Sequence, residues 1–415
     1  MLQLHNIADS DPKALGAFYT DGQVAEFLVW WSVRSSTDRV IDPSFGGGVF
    51  LRSACDRLIH LGADPAQQVY GVEIEPKIHN KIALELQTDF GMPKEQLILD
   101  DFFAIAGDAA PRVDVVVGNP PFIRYQRFTG EIRKRALTRA LEQGLKLSKL
   151  SSSWLPFLAH SVSLLQPGGR LAMVIPVEIT HAAYARPVLE YLANHFAEIT
   201  FLTFQKKLFP QLCEDTLLLL AEGKGASAPG RLLWRDLPHA GALKEMRMGD
   251  ERLFHAQHLD ADITSGMHRL IEYFISPKAR ALYRELKQRA ATNPLGNLAD
   301  VGIGYVTGAN DFFHLNAEQV ATLRIPDDFL RRAVRRGRSL SGVVFTKEDW
   351  RHGLKSKETA FLLHIPPKQA LPGTLRGVTL NQASNKVLLR RINAGLVPLG
   401  LVFRTSINPT HSFPI

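Results

Sequence analysis

Residues Val113 to Gln126 read VDVVVGNPPFIRYQ. Their chemistry is concentrated in Asn119-Pro120-Pro121-Phe122. Two consecutive prolines cannot continue a hydrogen-bonded ladder, and they fix a stiff, extended turn. That turn presents a side-chain amide, a proline-flanked carbonyl and an aromatic ring at one point. The set suits a planar exocyclic amine, whose lone pair is delocalised into its ring and is therefore a poor nucleophile. Two acceptors, the Asn119 side-chain oxygen and the Pro120 carbonyl, would bind both N–H groups and localise the lone pair, while Phe122 would stack on the ring. The same four residues also fit a purely structural turn with Phe122 in the core, so the neighbouring segments decide.

Val113, Val115, Val116 and Val117 form a short β-branched run, as expected of a buried parallel strand, and Gly118 ends it. Ligands of open α/β sheets bind at the carboxyl edge of such strands. Three further strands with polar ends are expected upstream: Arg39 to Asp42, Val69 to Glu73, and Leu97 to Phe102. A glycine-rich loop, Pro43 to Phe50, follows the first, and glycines there let a ligand approach the backbone. Glu73 lies about 25 residues past these glycines, near the spacing at which an acid reaches ribose hydroxyls. Helical stripes separate the strands, including Ile78, Ile82 and Leu86. An amphipathic helix is expected within Ala14 to Ser32, with Thr20 and Gln23 as a capping box. Downstream, a helix at Trp154 to Leu165, a strand at Arg170 to Pro176, a helix backed by Leu189, Leu192 and Phe196, and strands at Ile199 to Phe204 and Thr216 to Ala221 complete the pattern. This is the grammar of a doubly wound, mostly parallel sheet.

The charge is unevenly distributed. Before Gly266 there are 27 Lys+Arg against 31 Asp+Glu, and from Gly266 onward 22 against 10. A basic second part suggests a polyanionic partner. Arg331, Arg332, Arg335, Arg336 and Arg338 are too dense for a core and suit phosphates. Only Cys55 and Cys213 are present, which gives no disulfide framework and fits a reducing cytoplasm. No apolar run approaches the roughly 18 residues of a membrane span, so no membrane partner is expected. The histidines are scattered, and no metal site is expected.

Taken together, the segments resemble the N6-adenine DNA methyltransferases, which carry Asn-Pro-Pro-Tyr/Phe at the catalytic turn. Gly16 to Thr20 is similar to the segment that lies over the cofactor in that family. Asp42-Pro43-x-x-Gly46-x-Gly48 resembles its glycine loop, with Phe45 where a smaller residue is usual. The order, cofactor motifs before the catalytic turn and a recognition domain last, resembles the gamma-order, TaqI-type group. The fold implied is a class I methyltransferase (Rossmann-like) seven-stranded sheet with a separate basic C-terminal α+β domain. Residues 1–265 would be catalytic and 266–291 a helical linker. Residues 292–415 would be a DNA target-recognition domain, whose completeness at Ile415 is left open.

The resemblance implies S-adenosyl-L-methionine as cofactor. It would be held by Phe18, Tyr19, Thr20, Asp42, Pro43, Gly46, Gly48, Glu73, Ile74, Asp101, Phe102 and Asn119; Asp100 is an alternative to Asp101. It implies double-stranded DNA as substrate, with the adenine flipped out and methylated directly by way of Asn119, Pro120, Pro121 and Phe122. Phe209 is expected on the other face of the base, with a core role as the alternative. Tyr125, Arg127, Gly308, Asn310, Arg335 and Arg336 complete the DNA contacts. Arg124, Arg127, Arg133, Lys134, Arg135 and Arg139 read equally as a solvated helix face and as a phosphate-contacting flap. A cognate restriction endonuclease is a candidate partner, whose existence the sequence leaves open. The alternatives are an enzyme with the same turn acting on RNA or protein glutamine, and a non-catalytic DNA-binding subunit.

Overall fold

The computed structural model describes residues 20–106, 110–148, 150–182, 186–209, 215–226, 229–250, 255–259, 263, 268–289, 292–294, 297, 310–335, 340, 345–356 and 360–364. By internal contacts the chain divides into two units, residues 1–284 and 285–415.

The first unit is built on a nine-stranded sheet: β1 (Val40–Asp42), β2 (Val69–Glu73), β3 (Leu97–Leu99), β4 (Val113–Gly118), β5 (Leu165–Pro176), β6 (Glu198–Phe204), β7 (Thr216–Glu222), β8 (Arg231–Leu237) and β9 (Gln257–His258), in the order β3-β2-β1-β4-β5-β7-β6-β8-β9. β1 lies parallel between β2 and β4, and β4 is parallel to β5. β7 runs antiparallel between β5 and β6. The strand order reverses at β1 and β4, which makes their carboxyl edge the crevice of the sheet.

Two strands exceed the seven expected. β8 extends the sheet parallel to β6, and β9 pairs antiparallel to β8 at the new edge. The apolar stretch of β8, Leu232-Leu233-Trp234, is short and follows directly after a turn-rich segment. β9 is two residues long and has no periodic signature to read.

Helices α1 (Gly22–Ser32), α2 (Val49–His60), α3 (Pro76–Phe90), α4 (Gly130–Glu142), α5 (Trp154–Leu164), α6 (Arg186–His195) and α7 (Ala242–Arg247) pack around this sheet. α1 packs on α2 and α7, and α4 on α5. Val24, Phe27 and Leu28 give α1 its buried face. Its cap is not the expected Thr20: Asp21 accepts the Gln23 N–H at 2.8 Å and starts the helix. An aspartate at this position satisfies an orphan N–H as well as threonine would, which leaves the Thr20 side chain for another contact.

Helix α8 (Pro277–Gln288) spans the division between the units. In the second unit, β10 (His314–Leu315), β11 (Leu330–Arg332) and β12 (Phe361–Leu363) form a three-stranded antiparallel sheet in the order β10-β12-β11. Phe313, Leu315, Ile325, Phe329 and Leu363 are in its core. Helices α9 (Ala317–Thr322) and α10 (Lys347–Lys355) start with capping boxes, Asn316 with Gln319 and Thr346 with Asp349.

Candidate active site

A cavity of about 540 Å³ opens at the carboxyl edge of β1, β2 and β4. Of the residues singled out in the sequence, Thr20, Pro43, Gly46, Glu73, Ile74, Asp101, Phe102, Asn119 and Pro121 line it, as does Asp100. Asp42, Gly48, Pro120, Phe122, Tyr125, Arg127 and Phe209 do not. Phe18, Tyr19, Gly308 and Arg336 lie outside the described residues, as does the side chain of Asn310.

The turn at Asn119 to Phe122 is held from three sides. Asn119 Nδ2 donates to Thr20 Oγ1 at 3.2 Å. The Asn119 carbonyl accepts from Ser44 Oγ at 3.3 Å. Ser153, at the start of α5, donates from Oγ to the Pro121 carbonyl and accepts the Ile123 N–H at 2.8 Å, and its own N–H reaches the Ile123 carbonyl at 3.0 Å. With its nitrogen committed to Thr20, the Asn119 amide keeps Oδ1 as a buried acceptor without a partner. A buried acceptor left unpaired is costly, so this atom is available to a donor that enters the cavity. Phe122 is buried beside the turn, 8% exposed, and Phe209 is buried in the core at 4%. Tyr125 and Arg127 are exposed.

The glycine loop follows β1. Gly46 has φ +47°, and a side chain there would meet only the Ser44 carbonyl at 4.0 Å, so open space lies on its free side. At Gly48, φ +74°, a Cβ would stand 2.7 Å from Ile82 Cγ2, which ties the start of α2 closely to α3. Phe45, the unusual residue of the loop, is buried, and it fits because Gly71 on β2 has no side chain: a Cβ there would stand 2.7 Å from its ring.

Three acids ring the loop. Glu73 accepts the Gly46 N–H at 3.0 Å through Oε2 and the Glu75 N–H at 2.9 Å through Oε1. Asp101 accepts the Phe103 N–H at 3.1 Å on Oδ1 and Arg135 Nη1 at 2.6 Å on Oδ2. Burial pushes the Asp101 carboxyl up, and the Phe103 N–H and Arg135 pull it back. Asp42 lies beneath the loop. Its Oδ1 accepts the Ser44 N–H at 3.0 Å and its Oδ2 has no partner. Burial, reinforced by Glu73, pushes its carboxyl to about 8 against the pull of that N–H. Gly118 is required here, since a Cβ would stand 2.8 Å from Asp42 Oδ1.

Two hydrophobic surfaces complete the cavity. Ile74 is 51% exposed at its wall. Phe102 is buried between Phe157 and His160, each with its ring centre 4.6 Å away. Burial lowers the His160 imidazole, and its Nε2 bonds the Ile105 carbonyl at 2.8 Å.

Sequence reasoning missed Ser153 and the inward turn of the α4 arginines. Arg133 binds the Tyr125 and Phe128 carbonyls, Arg135 binds Asp101, and Arg139 binds the Phe103 carbonyl. In the second unit, Arg331 and Arg332 are exposed on β11, with the Arg332 guanidinium 4.8 Å from the Trp350 ring centre. Arg335 is half-buried.

A buried, ionisable carboxylate with free lone pairs, a glycine backbone open to ligand, an exposed aliphatic side chain and an unpartnered amide oxygen line one cavity. That donor and acceptor set fits a nucleoside with a polar tail. A family model described as N-6 DNA Methylase matches residues 2–226. One described as the C-terminal domain of Type II methyltransferase M.Eco57I matches residues 267–377. Type II methyltransferase M.AccI of Acinetobacter calcoaceticus is 22% identical over 360 residues, covering 85% of this chain and 62% of that protein. M.HindII of Haemophilus influenzae is 20% identical over 316 residues, covering 74% and 57%. The chain thus spans less than two thirds of either relative. Among solved structures, the ATP-dependent Type ISP restriction-modification enzyme LlaBIII bound to DNA superposes with a TM-score of 0.54 at 14% identity, over 86% of this chain and 28% of that one. The type IIG restriction endonuclease BpuSI gives 0.52 at 16%, over 91% and 49%. At such identities the structural likeness speaks for the fold.

Proposed function

The chain belongs to the N-6 DNA methylase family, and from that premise we propose that it transfers a methyl group from S-adenosyl-L-methionine to N6 of an adenine turned out of duplex DNA. The observation that carries the proposal is the Asn119 amide, its nitrogen held by Thr20 and its oxygen buried and unpartnered.

The bound cofactor supplies an activated methyl group. The chain holds it: Glu73 has one backbone N–H on each oxygen and a lone pair left on each for ribose hydroxyls. Ile74 and Phe102 offer apolar surface to the adenine ring, and Asp101 an acceptor to its amine. The open backbone at Gly46 and the residues around Thr20 and Pro43 receive the amino-acid end, with Asp42 supporting the loop from below.

The target base cannot react inside the stack, and extruding it costs about a few kcal/mol. Phe122, 8% exposed and packed in the core beside the turn, has to turn outward to stack on the base, a contact that returns roughly 1–3 kcal/mol. Asn119 Oδ1 and the Pro120 carbonyl accept the two N6 hydrogens. This favours the form in which the nitrogen lone pair is localised and free to attack. The catalytic work is positioning and preorganised polarity.

The basic second unit is assigned to target recognition, and the chain to the gamma-order group of a restriction-modification system with a partner endonuclease. Support comes from the motif order, the charge distribution and the names of the relatives.

The test is incubation of the full chain with labelled S-adenosylmethionine and either duplex DNA, RNA or ribosomes. Label is expected on N6 of adenine in DNA, with Asn119→Ala lowering the rate about 10²-fold or more while cofactor binding survives. Label on RNA or protein alone, or full turnover by the Asn119→Ala variant, would sink the reading.

A further inference from the structure

Helix α4 carries Arg133, Lys134, Arg135 and Arg139, and by composition it reads equally as a solvated face and as a surface for phosphates. The geometry of Arg135 and Arg139 fits neither. Ala136 and Ala140 are its buried seam, small enough for the helix to approach closely. Beside that seam, one turn apart, Arg135 Nη1 reaches Asp101 Oδ2 at 2.6 Å and Arg139 Nε reaches the Phe103 carbonyl at 3.0 Å. Both grip the corner where Asp101 and Phe102 enter the cavity.

We propose that Arg135 is a positioning residue for the adenine end of the cofactor: from α4 it aims Asp101 and holds it as an acceptor-only carboxylate toward the exocyclic amine. The inference rests on the reading of the cavity as the S-adenosylmethionine site.

An ionised carboxylate has about four lone-pair sites. The Phe103 N–H and Arg135 occupy two of them, and acceptor capacity remains for an amine entering from the cavity. A protonated carboxyl would set its own O–H against the amine hydrogens. Burial favours that protonated form, and the neighbouring Asp100 pushes the same way. The other charged groups at this corner are engaged elsewhere. Arg139 pairs with Glu142 at 2.9 Å, and His160, whose imidazole is lowered by burial, bonds the Ile105 carbonyl through Nε2 at 2.8 Å. Among the described residues, Arg135 is the cation in contact with the Asp101 carboxylate.

The sign of the effect follows. Amine acceptance by Asp101 is present above the pKa of its carboxyl and lost as the pH falls through it. Arg135 lowers that pKa by its hydrogen bond and its charge, so removing it raises the pKa and the loss moves to higher pH.

The experiment is calorimetric titration of the full chain with S-adenosylhomocysteine between pH 5 and 9, for wild type, Arg135→Gln and Arg135→Lys. A parallel titration uses S-inosylhomocysteine, in which a carbonyl replaces the amine. Wild type is expected to prefer the adenosyl ligand by about tenfold or more. Arg135→Gln is expected to shift the acid midpoint of adenosyl binding upward, weakening binding most at the acid end of the range and recovering at pH 9. Arg135→Lys, which keeps the charge, is expected to hold the wild-type midpoint. An unshifted midpoint in Arg135→Gln, or equal weakening at every pH, would overturn the proposal. A wild-type protein indifferent to the amine would instead overturn the assignment of Asp101 itself, and the proposal with it.

Discussion

Asn119 donates its amide hydrogen to the hydroxyl of Thr20, 99 residues away in the chain, at 3.2 Å. The contact exists because Asp21, not Thr20, caps α1. Thr20 is thereby free to set which way the Asn119 amide faces. Thr20→Val keeps the shape and removes the hydroxyl. Losing one orienting bond of about 1 kcal/mol should lower the single-turnover methylation rate by roughly fivefold to tenfold. Thr20→Ser should remain near wild type. Equal rates for valine and threonine would show that the amide needs no such guide.

Ser153 fastens the two-proline turn through its side chain to the Pro121 carbonyl and the Ile123 N–H. It is 2% exposed, so water does not replace the lost hydroxyl. Ser153→Ala should cost about 1–3 kcal/mol, the penalty for leaving buried polar groups unpaired, measurable by urea denaturation. Its methylation rate should fall further than stability alone accounts for, because the prolines would no longer be held from α5. A variant as stable as wild type would show the turn to be self-supporting.

Much of the sheet was legible because its strands are short β-branched or aliphatic runs, Val113 to Val117 and Val69 to Val72 among them, bounded by glycine, proline or acid. Partnerships at long range left no such trace. Nothing periodic marks Ser153 as the clamp of a turn 30 residues earlier, or Gly71 as the space for Phe45. The α4 arginines mislead for a related reason: a guanidinium looks the same in sequence whether it meets water, a phosphate or a buried carboxylate. The alanines at 136 and 140 were the available hint that this helix lies close against the protein.

The Asp42 carboxyl gives the ligand-free protein a distinctive pH dependence. Its folded pKa, raised to about 8, lies above the ordinary value of 3.8. Between those values the folded state binds the extra proton, so Asp42 lowers stability progressively as the pH rises through that window, with no further change above it. Asp42→Asn keeps an acceptor for the Ser44 N–H and cannot ionise. Its melting temperature should exceed that of wild type most clearly above pH 8, and the difference should shrink toward pH 5. A difference that is constant with pH would rule out a buried carboxyl titrating there.

The basic residues after the two-proline turn should divide into two kinds when DNA binding is measured against salt. Arg127 is exposed, and its side chain has no partner among the described residues. Arg139 is bound to the Phe103 carbonyl and to Glu142. Each cation placed on a phosphate releases about one counterion, so Arg127→Gln should reduce the slope of log affinity against log salt by about 1 and leave the melting temperature unchanged. Arg139→Gln should do the reverse, lowering stability by about 1 kcal/mol through the lost bond and leaving the slope intact. The flap would then be a hybrid, with its loop turned to the nucleic acid and its helix to the cofactor side of the protein. Equal slope changes in the two variants would mean that α4 releases Phe103 when DNA binds.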